Sequence, residues 1–258
     1  MEQEIIQFSG ILSALFIGLL IGLKHSTDGD HIVAISTIVR DYKKIINAVW
    51  GGISWGIGHT IPLMILGTII LLLKENFLDL YMHIAIYFEF GVAIMLIILG
   101  LQVFWKLYKG SFHFHSHHHD GLSHTHIHGS HAHNAQAKDF HHGKKHSFFM
   151  NFIPFLSTKS FFIGFVHGLA GSAAVLIAIL PNTPNFFSGI IFLIFFAVGT
   201  VVAMAIMTIV LSLPFRYLKS SLIGNSLISV FGMLSIILGL SLGSDLTLGT
   251  HFTEFLWY

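Results

Sequence analysis

The chain has 258 residues, 54% of them hydrophobic and only 10% charged, with a positive mean hydropathy. Ordinary soluble domains carry roughly 25% charged residues, so this composition belongs to an integral membrane protein, and a net charge of +1 with basic residues scattered along loops offers no nucleic-acid surface. The absence of cysteine excludes disulfides, iron–sulfur clusters and thiolate metal sites, so any metal must be held by nitrogen and oxygen.

A helix needs about 20 apolar residues to cross about 30 Å of hydrocarbon. The first such segment, residues 9–39, follows the acidic Met1-Glu2-Gln3-Glu4, where a secretory signal would be basic. With no small-residue cleavage site after it, it is expected to stay as a span. It contains His25-Ser26-Thr27-Asp28-Gly29-Asp30-His31, two imidazoles and two carboxylates within seven residues. Charge at membrane depth is expensive, which makes this heptad a functional-site candidate. The alternative, a helix end capped near the membrane surface, would be a costly use of four titratable residues between apolar runs.

The run from Ile11 to Leu23 is too short to span, and Ile32 to Val39 resumes the apolar character, so one broken helix is expected with Gly29 as its weak point. On an unbroken helix His25 and His31 would stand about 120° apart around the axis. Local unwinding would bring them to one ion, at the cost of exposed carbonyls and amides tolerated only in a protected cavity. Imidazole with carboxylate suits divalent nickel, cobalt, zinc or iron better than magnesium or cuprous copper.

Arg40-Asp41-Tyr42-Lys43-Lys44 separates the first segment from a second span over 47–73. There, Trp55-Gly56-Ile57-Gly58-His59-Thr60 presents His59 either as a further ligand or as a histidine hydrogen-bonded across a helix interface, with glycines that let another helix approach. Lys74-Glu75-Asn76 precedes the third span, 81–107. Its Glu89 lines an entrance, pairs with His83 or anchors the helix at the interface, the last being the preferred reading.

Residues 108–159 form the one long loop. Thirteen of the nineteen histidines lie between His113 and His146, including His117-His118-His119 and the alternating His124, His126 and His128. Such a tract lacks the spacing of a folded zinc site and is expected to be disordered until metal binds, serving as a metal buffer or sensor beside the intramembrane cluster. Its binding should weaken toward pH 5 to 6, near the histidine reference pKa of about 6.5.

A fourth span over 160–180 carries His167, either a ligand or a packing residue, since Gly168-Leu169-Ala170-Gly171-Ser172-Ala173-Ala174 reads as a packing face. Pro181-Asn182-Thr183-Pro184-Asn185 and the stretch from Pro214 to Lys219 bound the last two spans, 186–213 and 222–243.

The halves share short patterns in the same order at a nearly constant offset. Gly22-Leu23-Lys24-His25 with Gly29 matches Gly164-Phe165-Val166-His167 with Gly171, Gly58-His59-Thr60 aligns loosely with Gly199-Thr200, and Ile97-Ile98-Leu99-Gly100-Leu101 matches Ile236-Ile237-Leu238-Gly239-Leu240. Three spans per unit is an odd number, so the second unit would enter the membrane from the opposite side, the inverted-repeat arrangement of many secondary transporters. The expected fold is therefore all-α, with about six transmembrane helices in a 3+3 inverted repeat and a broken first helix: residues 1–107, the His-rich segment 108–159, and residues 160–258. Loops one, three and five hold eleven basic residues against Lys74 alone on the other side, which places the long loop in the cytoplasm and both termini outside.

The heptad fits the His-x4-Asp-His signature of the nickel/cobalt transporter family, and Gly58-His59-Thr60 resembles that family's second-helix Gly-His-[Ser/Thr] element. The resemblance implies metal recognition by His25, Asp28, Asp30 and His31, assisted by His59. Typical uptake members have eight spans and a Gly-Phe-Asp-Thr-rich motif in the second half. This chain has Gly164-Phe165-Val166-His167-Gly168 there, which makes it similar to the shorter urease-accessory-like branch, while the His-rich loop resembles one in the efflux branch.

The function expected is secondary transport of nickel or cobalt ions across the cell membrane, with import preferred over efflux and the ion held by His25, Asp28, Asp30, His31, His59 and His167. The ion is cargo, no cofactor is expected, and the expected partners are the divalent ion and the lipid bilayer. A membrane-bound di-iron oxygenase would need several short-spaced histidine boxes on ordered helices, and a zinc protease would need His-Glu-x-x-His, which does not occur. A metal sensor without transport would have no use for the repeat.

Overall fold

The computed structural model describes residues 2–42, 44–73, 75–109, 113–119, 122–128, 156–169, 180, 183, 185–217 and 221–253. Among the described residues the α-helices are α1 (Glu2–His25), α2 (Gly29–Ile38), α3 (Ile45–Leu73), α4 (Glu75–Tyr108), α5 (Thr158–Gly168), α6 (Phe186–Tyr217) and α7 (Ser221–Leu248). Four of them, α3, α4, α6 and α7, are long and apolar enough to cross a membrane, and α1 with α2 makes a fifth if that pair, bent by 55°, is one broken span. The chain is thus a multi-pass helical membrane protein. The fourth expected span is described as α5 and Leu169, while residues 170–179 lie outside the described residues.

The expected break in the first span is present, but it falls at Ser26-Thr27-Asp28, and Gly29 is already the first residue of α2. The side chains explain the shift. Ser, Thr and Asp offer the backbone hydrogen bonds that compete with a continuing helix. Thr27 Oγ1 donates to the Lys24 carbonyl at 2.6 Å, and Ser26 Oγ is placed to donate to the carbonyls of Gly22 and Thr200, each at 3.1 Å. Pro214, expected to bound the fifth span, instead lies inside α6 close to its end.

Part of the His-rich segment also departs from the expected disorder. Residues His113–His119 (β1) and Leu122–His128 (β2) pair antiparallel, with His115 opposite His126 and His117 opposite His124. The intervening sequence Asp120-Gly121 is a strong hairpin-turn signal. Residues 129–155 lie outside the described residues.

The helices pack through reciprocal glycine approaches. A Cβ added at Gly22 on α1 would run into the carbonyl oxygen of Phe196 on α6, and one at Gly199 on α6 into that of Leu19 on α1. Between α3 and α5 the same exchange recurs: Gly58 faces the carbonyl of Phe161 and Gly164 faces that of Trp55. In all four cases the carbonyl belongs to the residue three positions before the opposing glycine. Between α4 and α7, Gly100 faces the carbonyl of Gly232 and Gly239 that of Ala93, each seven positions before the opposing glycine. Small residues permit this backbone contact, which drives helix association where lipid removes the hydrophobic incentive.

Two buried apolar clusters flank the break. One joins α1, α3 and α6 through Leu63, Ile70, Phe192 and Phe196, and the other joins α2, α4 and α7 through Ile35, Leu96, Val103 and Ile228. Large apolar side chains such as Phe16, Leu20, Leu101, Ile194 and Ile237 remain exposed on the outer faces, as lipid contact requires. The turn after α2 is tied at two points: Arg40 donates to the Gly224 carbonyl and Asn225 Oδ1 at 3.3 and 2.7 Å, and Tyr42 Oη lies 2.5 Å from Ser160 Oγ on α5.

Candidate metal centre

The helix break creates the site. It lets the chain turn between His25, the last residue of α1, and His31, in the first turn and a half of α2, so that their ring centroids come to 4.7 Å. Helix α3 delivers His59, with centroids 5.2 Å from His25 and 5.0 Å from His31. Helix α5 delivers His167 from the second half of the chain, stacked on His31 at 4.2 Å. Asp30 completes the cluster. All five side chains are buried, and His31, His59 and His167 have no exposed surface.

The hydrogen bonds give these side chains an order. His25 Nδ1 donates to Asp28 Oδ2 at 2.9 Å, and His31 Nδ1 donates to Asp30 Oδ1 at 2.8 Å. The second oxygen of Asp30 accepts from His167 Nε2. A carboxylate on one ring nitrogen fixes the imidazole's orientation and raises the basicity of the other nitrogen, the arrangement that metal-binding histidines use. His25 Nε2 consequently presents a lone pair, and it lies 3.1 Å from His59 Nε2, whose N–H donates to it. His31 Nε2 and His167 Nδ1 are buried with no hydrogen-bond partner. Buried polar atoms normally find one, and an orphaned imidazole nitrogen beside other imidazoles is what a metal-ion ligand without its ion looks like.

Two groups meet the distance requirement for a shared ion. Ligand atoms of His25, His31 and His59 lie within 4.8 Å of one another, as do those of Asp30, His31 and His167. Metal–nitrogen bonds of about 2 Å place ligand atoms about 3 to 4 Å apart, so small side-chain adjustments suffice. The helix termini assist. The C-terminal ends of α1 and α5 fall at His25 and Gly168, and helix C-termini carry partial negative charge that favours a cation.

Of the six residues expected from sequence, the structure brings His25, Asp30, His31, His59 and His167 together. Asp28 stands apart: its side chain is 23% exposed, holds His25 and belongs to neither group. His83 is exposed and Glu89 half-buried on α4, and neither enters the groups. Three further residues border the site. Phe196 stacks on His25 with centroids 5.7 Å apart, the Trp55 ring lies 6.0 Å from His167, and the Thr200 carbonyl receives Ser26. Trp55 carries a sequence signal in its place one helical turn before His59, and Thr200 one in the repeat; Phe196 carries none.

No family model and no solved structure matches the chain. Among curated proteins it is similar to the urease accessory protein UreH of Bacillus sp. (strain TB-90), with 33% identity over 231 residues that cover 89% of this chain and 90% of the relative. A likeness of that extent makes the chain a member of the UreH family, the short urease-accessory-like branch that its first-helix motif resembles among nickel/cobalt transporters.

Proposed function

We propose that this protein is a secondary transporter that carries divalent nickel or cobalt into the cell, holding the ion where the broken first helix meets α3 and α5. The single observation that carries the reading is the convergence of four imidazoles and one carboxylate, from both halves of the chain, at a helix break buried inside an apolar helical bundle. Ionisable groups in such a place mark ion pathways, and the nitrogen-rich donor set suits late first-row divalent metals. The reciprocal glycine approaches support the 3+3 inverted repeat, because α1 meets α6 as α5 meets α3, through residues at matched positions. Rocking of the two halves would expose the break to each side of the membrane in turn.

Six spans, with the His-rich loop in the cytoplasm and the termini outside, complete this reading and agree with the distribution of lysine and arginine. The accessory role to urease that the relative's name carries accords with supplying an ion rather than removing one. The test is accumulation of labelled nickel in cells expressing wild type or His25→Ala at matched protein levels, with cobalt as competitor. Accumulation above background that His25→Ala abolishes supports import. Depletion reversed by His25→Ala would reverse the direction, and equality of the two would sink nickel transport.

A further inference from the structure

We infer that the ion has two overlapping seats in this protein, occupied in turn, with His31 common to both. One seat is all imidazole: His25, His31 and His59, drawn from α1, α2 and α3. The other is Asp30, His31 and His167, drawn from α2 and α5. The inference rests on the transport reading for the identity of the cargo, but the geometry stands without it.

Three observations carry it. His31 is the only residue in both groups, and with its Nδ1–H given to Asp30 it has one lone pair left, on a buried nitrogen with no partner. A neutral imidazole has one lone pair, so His31 serves one seat at a time. An ion shared with His25 and His59 takes Nε2. An ion shared with Asp30 and His167 instead takes the place of the protons that His31 Nδ1 and His167 Nε2 now give the carboxylate, which move to the other nitrogen of each ring. The seats also differ in origin, since the first uses donors from the first half alone while the second recruits His167 from the second half. Finally, both outer histidines sit beside contacts between the two halves. Ser26, next to His25, bonds the Thr200 carbonyl on α6, and a Cβ on Gly168, next to His167, would run into the His59 carbonyl on α3. Movement of one half against the other therefore changes the reach of His25 and His167 from His31 in a coupled way. His31 becomes the pivot across which the ion is handed between the halves.

The seats differ chemically as well. Three neutral nitrogens make the first softer, and a carboxylate oxygen makes the second harder and anionic. Cobalt(II) reports that difference through its visible absorption and its X-ray absorption fine structure. The experiment uses the full-length protein in lipid nanodiscs, with the histidines from His113 to His146 changed to Gln so that only the membrane ligands are read. Cobalt chloride is titrated into this parent and into its His25→Ala, His167→Ala and His31→Ala derivatives.

The expected result is one ion per chain in the parent and in both outer variants, each of these binding at least tenfold more weakly than the parent. His167→Ala should give a spectrum of nitrogen donors, His25→Ala should keep an oxygen donor, and His31→Ala should bind none. Two ions at once in the parent would overturn the inference in favour of a fixed dinuclear site. Loss of binding in either outer variant would overturn it in favour of a single seat, and unchanged spectrum and affinity in either would remove that residue from any seat. His25→Gln and His167→Gln, which keep the packing volume, repeat the measurement if an alanine variant does not fold. Because binding is read directly, failure of nickel transport in cells would leave these outcomes intact.

Discussion

Asp30 on α2 accepts the Nε2–H of His167 on α5, joining residues 137 positions apart in the chain. Its other oxygen holds His31 at 2.8 Å, so one buried carboxylate orients two imidazoles from opposite halves. Asp28 holds only His25 and is partly exposed. The two acids should therefore respond unequally to the same substitution. Asp28→Asn keeps a hydrogen-bond acceptor beside His25 and should weaken nickel uptake by about 10- to 100-fold, the usual effect of losing a ligand's orienting partner. Asp30→Asn removes a negative charge and turns one oxygen into a donor facing an N–H, and should leave no measurable uptake. The concentration dependence of uptake at matched expression separates the two.

The reciprocal glycine contacts predict a stability pattern. Gly58→Ala and Gly164→Ala each push a methyl group into a carbonyl oxygen of the opposing helix, and overpacking of this kind costs about 1–3 kcal/mol. Gly91→Ala, on α4 where a Cβ meets nothing within 4 Å, should be neutral or slightly stabilising because alanine favours helix by about 0.5–1 kcal/mol. Unfolding of the three purified variants, followed by circular dichroism, reads the difference. A destabilised Gly91→Ala would contradict the packing described for α4.

Much of this was legible in the sequence, for reasons that differ by residue. The heptad stands out because four ionisable groups interrupt an apolar run, and His59 and His167 because histidine is rare within a span. The break precedes Gly29, despite that residue's low helix propensity and backbone freedom, because Ser26 and Thr27 bond directly to helix carbonyls. Neither the role of Asp28 as partner rather than group member nor the stacking of Phe196 was legible. Asp28 reaches His25 across three residues, but which of the two binds an ion depends on the partners that α3 and α5 bring. The Phe196 contact depends on how α1 and α6 cross, and local spacing encodes neither.

Tyr42 and Ser160 link the turn after α2 to the start of α5, their hydroxyl oxygens 2.5 Å apart. Tyr42 also fills the space against Gly51, whose added Cβ would run into its ring. A double-mutant cycle of Tyr42→Phe and Ser160→Ala should show a coupling of about 0.5–1.5 kcal/mol in SDS-induced unfolding, the ordinary worth of one such bond. Because α2 and α5 carry His31 and His167, each single variant should also lower nickel uptake.

The His-rich segment should be separable from transport. None of its described residues enters either ligand group, and those groups lie within the helices. Deleting residues 113–146 should leave the uptake rate within about twofold while removing most of the nickel the purified protein binds. The pH dependence of the lost fraction follows from imidazole chemistry. A protonated ring has no lone pair to offer, and free histidine has a pKa of about 6.5. Binding by the intact segment should therefore be full above pH 7 and lost as the pH falls through 6 toward 5. Equilibrium dialysis of wild type and deletion against nickel at pH 7.5 and 5.5 tests both points. An uptake rate that collapses with the deletion would make the segment part of the pathway rather than a store beside it.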